Sequence, residues 1–111
     1  MQAVAFTQTG GPEVLRVLEV PDPTPGPGQV CIQVKVSGVN FRDIGVRRDG
    51  TNEGSRTPQP VVTGIEAAGV VESLGAGVTH LRVGQRVATI CQGGWVRWPP
   101  RGPGCAGSPF T

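Results

Sequence analysis

The 111-residue chain has room for one hydrophobic core and not for two domains of ordinary size. Its 18 glycines and 11 prolines, well above the usual combined share of roughly 12%, exclude a bundle of long helices and favour short strands joined by turns. A net charge of +2 is spread over scattered arginines, with Arg47–Arg48 the one adjacent basic pair, so no basic patch for nucleic acid or a membrane surface is expected.

Ala3-Val4-Ala5-Phe6 is a short apolar run closed by the turn signal Thr9-Gly10-Gly11-Pro12. Val14 to Val20 has the β-branched content of a second strand. Pro21 to Gly28 reads as a surface loop, because each proline fixes φ and lacks a donor. Val30 to Val36 alternates, with Val30, Ile32, Val34 and Val36 on one face and Cys31, Gln33 and Lys35 on the other, and is the clearest strand. Ser37-Gly38-Val39 breaks that period. Asn40 then opens a short helix with apolar residues at 41 and 44. Residues 49–60 are polar and punctuated by Gly and Pro, hence a loop. Glu66 to Glu72 is a strand whose small residues and paired valines suit a curved, tightly packed sheet. Turns at Gly75-Ala76-Gly77 and at 81–85 precede a last strand, Arg86 to Ile90.

The fold class is therefore mostly β: a small curved β-barrel with one or two short helices, covering residues 1–95. From residue 96 onward apolar periodicity stops and prolines dominate, so 96–111 is expected to be disordered. Cys31, Cys91 and Cys105 are widely spaced and show no C-x-x-C, which favours unpaired thiols over a disulfide framework or a structural zinc. Without a basic, apolar leader or a run of ~20 apolar residues, a cytoplasmic location is expected.

Five segments carry a resemblance. They are Gln8-Thr9-Gly10-Gly11-Pro12-Glu13-Val14-Leu15, Pro25-Gly26-Pro27-Gly28-Gln29-Val30, Gly38-Val39-Asn40-Phe41-Arg42-Asp43, Gly64-Ile65-Glu66-Ala67-Ala68-Gly69-Val70-Val71 and Val83-Gly84-Gln85-Arg86-Val87. In this order and spacing they resemble the amino-terminal, GroES-like domain of the quinone oxidoreductases, the zeta-crystallin-like group of the medium-chain dehydrogenases/reductases. Each motif is short and weak alone; five in order are specific. The resemblance implies a barrel bearing part of an active-site cleft, with NADPH held mostly by a Rossmann domain that follows in the family. It also implies hydride transfer to a quinone or an activated double bond, without a metal.

Zinc-dependent relatives place a Cys where Asn40 stands and a His where Ile65 stands. An amide is a poor zinc ligand and an alkyl chain is none, so zinc is not expected. Asn40 and Asp43 fit a helix-capping pair, and the resemblance also places both at the nicotinamide cleft. Glu66 is either a strand-end charge or a remnant of the zinc-type motif in that cleft. His80 reads as a solvated turn residue. Gly75-Ala76-Gly77 joins strands rather than a strand and a helix, so it is not a dinucleotide fingerprint. The family's usual tyrosines are missing, since the chain has none. The sequence after Trp95 departs from the family pattern and is expected to be a frameshifted tail on a truncated domain, inactive alone. The alternative is a stand-alone GroES-like binding or regulatory module.

Overall fold

The structure, a computed structural model, describes residues 1–50, 60–91 and 93 together with the strand backbone at 96–97. In chain order it contains β1 (Gln2–Phe6), β2 (Arg16–Glu19), β3 (Val30–Val36), α1 (Phe41–Asp49), β4 (Val61–Val62), β5 (Glu66–Leu74), β6 (Arg86–Ile90) and β7 (Val96–Arg97). A 3-10 turn at Pro12–Val14 separates β1 from β2.

The strands form two sheets, and no closed barrel is present among the described residues. The mostly β reading holds; the closed barrel does not. In the first sheet β1 is central, paired along both sides, and its Ala3, Ala5 and Phe6 are buried. β2 pairs antiparallel along one side, from Gln2↔Glu19 to Ala5↔Arg16. The other side is shared by β4 against Ala5 and Phe6 and by β7 against Gln2 and Ala3. Disorder from residue 96 onward is therefore wrong for Val96 and Arg97, whose backbones are held by β1; the rest of that segment lies outside the described residues. The expected loop at 49–60 likewise falls mostly outside them.

The second sheet runs β3-β5-β6, all antiparallel. Val30, Ile32, Ala67 and Cys91 form its buried cluster, with Val34, Leu74, Val78, Leu81 and Val87 packed against it. Gly69 sits mid-strand in β5, opposite Val34 on one side and Val87 on the other. A Cβ there would lie 2.0 Å from the Gln33 backbone oxygen, so this crossing exists only because residue 69 has no side chain. Gly75 plays the same part at the strand's end, where a Cβ would come 1.9 Å from the Gly26 oxygen. Its N–H donates to the Gln29 carbonyl at 2.8 Å, which docks the Gly-rich turn on the proline loop.

The alternation of β3 survives as geometry and not as burial. Val30, Cys31 and Ile32 are all buried, whereas Val36 is 63% exposed. Register shifts between Cys31 and Ile32 and between Val34 and Val36 break the simple two-face pattern. Cys31 is disulfide-bonded, which corrects the expectation of unpaired thiols; Cys91 is free and buried.

The helix departs from its pattern too. Phe41 and Ile44, its apolar positions, are 88% and 42% exposed, and the residue α1 buries is Asp43. Its C-terminal end is clasped to the first turn: Arg47 Nη1 donates to the Gly10 carbonyl at 2.5 Å, and the Gly10 N–H donates to the Arg47 carbonyl at 3.0 Å. Gly50 closes the helix in the left-handed conformation, φ 65°.

Candidate functional site

Val36, Ala68 and Ala88 lie side by side across the second sheet, as do Glu66 and Ile90. Methyl side chains at the middle of these rows leave a hollow of about 620 Å³ at this end of the sheet. Val36 and Ile90, 63% and 73% exposed, are its apolar walls. Ser37, Gly38 and Glu66 complete the lining.

Glu66 owes its position to Gly38. A Cβ on residue 38 would lie 1.9 Å from Glu66 Oε1, so the carboxylate occupies space that only glycine leaves open. The hydroxyl groups of the cleft are turned to backbone: Ser37 Oγ donates to the Glu66 carbonyl at 2.6 Å, and Thr89 Oγ1 donates to the Ile90 carbonyl at 3.0 Å. Behind the wall, burial pushes the Cys91 thiol above its ordinary value, and the negative charge of Glu66 adds to the rise.

Asn40 and Asp43 stand at the N-terminus of α1 and do not line the hollow. They form a capping box, in which the Asn40 N–H donates to Asp43 Oδ2 at 2.8 Å. Asp43 is only 6% exposed, so the carboxylate at the helix start is shielded as well as bonded. Asn40 Nδ2 is buried and has no partner among the described residues. The structure thus brings Glu66 to Gly38 and Asn40 to Asp43.

A dinucleotide diphosphate does not fit this helix start, because the Asp43 carboxylate already holds the place where a phosphate would accept from backbone N–H groups. Gly75-Ala76-Gly77 serves the turn described above. His80 is exposed in a bend. Among the described residues no three of His, Cys, Asp and Glu gather as a metal site, and no helix is long and apolar enough to cross a membrane. Sequence reading missed Val36, Ala68, Ala88 and Ile90 as cleft residues. Small residues repeated at facing positions were the available signal.

The sequence profile of the alcohol dehydrogenase GroES-like domain matches residues 26–105. The chain is 40% identical over 86 residues to a quinone oxidoreductase of Salmonella typhimurium, covering 76% of this chain and 25% of that protein. It is also 40% identical over 89 residues to a 2-haloacrylate reductase of a Burkholderia species, covering 80% and 27%. Among solved structures, the Escherichia coli quinone oxidoreductase complexed with NADPH superposes with a TM-score of 0.67 at 34% identity, covering 79% of this chain and 26% of that one. The chain thus spans about a quarter of the length of the relatives it matches, and corresponds to their amino-terminal GroES-like part. With most of its length matched by that profile, the chain belongs to the alcohol dehydrogenase GroES-like domain family, and its relatives are quinone oxidoreductases and related enzymes of the medium-chain dehydrogenase/reductase superfamily.

Proposed function

We propose that the chain supplies the substrate side of a cleft in which NADPH reduces a quinone or another activated double bond. The observation that carries this reading is the hollow walled by Val36, Ile90 and Glu66, one motif away from the Asn40–Asp43 helix start. Its alanine floor takes a flat apolar ring and its mouth is open, as a cleft between two domains requires. The cofactor supplies the hydride when bound. In this chain Asn40 is the residue suited to the nicotinamide end, by its place at the start of α1. Asp43 orients Asn40 through the capping box, and Glu66 shapes the cleft wall. The diphosphate needs donors these residues do not offer, so the 111 residues by themselves neither hold NADPH tightly nor turn over. Zinc takes no part, since Asn40 and Ile65 stand at the positions where zinc-dependent relatives carry ligands.

Calorimetric titration of NADPH into the purified chain tests this reading. No heat of binding in the micromolar range is expected, and no cofactor oxidation above blank with a simple quinone. Micromolar binding or turnover by the isolated chain would contradict it.

A further inference from the structure

The polar groups around the hollow have one sign and one direction. Glu66 is a carboxylate, an acceptor only. The Ser37 and Thr89 hydroxyls spend their protons on the backbone carbonyls of Glu66 and Ile90. No lysine, arginine or histidine lines the hollow among the described residues. The wall therefore offers a ligand a negative charge, filled lone pairs and methyl groups, and no side-chain donor.

An anion entering such a place loses water and gains no partner, which costs more than the transfer of the same ring without a charge. It also meets the charge of Glu66, whose carboxylate sits over Gly38 at the cleft wall. A neutral ring loses only apolar hydration and gains contact with Ala68, Ala88, Val36 and Ile90. Its carbonyl oxygens find no side-chain donor on this wall, so selection by the side chains acts on the ring and on charge.

We propose that Glu66 is a specificity-determining residue that makes this cleft take uncharged, apolar acceptors and reject acceptors bearing a carboxylate or sulfonate. The inference rests on the cleft being the substrate side, as proposed above, and adds which substrates it admits.

The test is an NMR titration of the full chain with naphthoquinone and with naphthoquinone sulfonate, the same ring carrying an anion. Amide shifts of Val36, Ala68, Ala88 and Ile90 report the cleft, and no cofactor is needed. Naphthoquinone is expected to shift these amides and the sulfonate to bind more weakly by about fivefold or more, a gap that closes as salt is raised. Glu66→Gln keeps the shape, removes the charge, and should bring the two affinities within about twofold at the same ionic strength. Ala88→Leu fills the floor and should abolish both responses, with circular dichroism confirming the fold. Equal binding of both probes to the unaltered chain, or a gap unchanged in Glu66→Gln, overturns the charge selection alone. No shift at these amides with either probe overturns it together with the substrate-side reading.

Discussion

Gly38 and Glu66 share one volume: the place where residue 38 would carry a Cβ lies 1.9 Å from the Glu66 carboxylate oxygen. The contact is with the far end of an exposed side chain, so it sets where the acid points without being needed for the fold. Gly38→Ala should therefore push Glu66 out of the cleft wall while leaving the melting temperature within a few degrees. Gly69→Ala should behave differently, because there the opposing atom is the Gln33 backbone oxygen at 2.0 Å. That variant should lose about 2 kcal/mol or more. Urea denaturation of the two proteins side by side separates these outcomes; equal stabilities would show that the sheet yields at Gly69.

The same comparison shows what the sequence discloses and what it hides. Val30–Val36, the helix start at Asn40 and the strand Arg86–Ile90 are legible because alternation and capping are local signals. Val61–Val62 and Val96–Arg97 are not, since a strand of two residues has no period to read. Phe41 and Ile44 mislead, because apolar spacing on a helix assumes a surface to bury against, and α1 turns Asp43 inward instead. Cys31 could not be paired from spacing alone. Glu66, Asn40 and Asp43 stand out in the sequence through their motifs. The hollow escaped because it is made by what Gly38, Ala68 and Ala88 lack.

Arg47 holds α1 to the turn at Gly10 from both ends of one residue, by its guanidinium and by its carbonyl. Arg47→Ala removes the charged half and leaves the backbone half. A loss of about 1–2 kcal/mol is expected, with hydrogen exchange accelerated along residues 41–49 before the second sheet is affected. Unchanged exchange in α1 would mean that the capping box at Asn40 and Asp43 suffices to hold it.

Glu72 carries a pH signature. Its Oε2 is shut off from solvent with no partner among the described residues, and burial, followed by the negative charge of Asp22, raises its carboxyl above the ordinary 4.5. A raised acid favours the protonated form in the folded state, so its stability contribution is complete below 4.5 and is lost as pH rises through the folded value. Glu72→Gln should therefore melt higher than the unaltered chain at neutral pH, with the difference vanishing in acid. A difference independent of pH would place its origin elsewhere.

The capping pair separates structure from function. Asp43→Ala should cost about 1 kcal/mol through the cap, whereas Asn40→Ala removes both a cap and the unpartnered amide nitrogen. In a protein where residues 1–97 of this chain replace the corresponding part of the Salmonella quinone oxidoreductase, Asn40→Ala should lower turnover further than the shared loss of stability explains.

That hybrid also tests directly whether these residues form the substrate side of the cleft. NADPH consumption by the folded hybrid is measured with an uncharged quinone, beside the isolated chain at equal concentration. Steady turnover is expected from the hybrid and none from the isolated chain. A hybrid that folds and binds NADPH yet reduces no quinone would contradict the claim that these residues form the substrate side of the cleft.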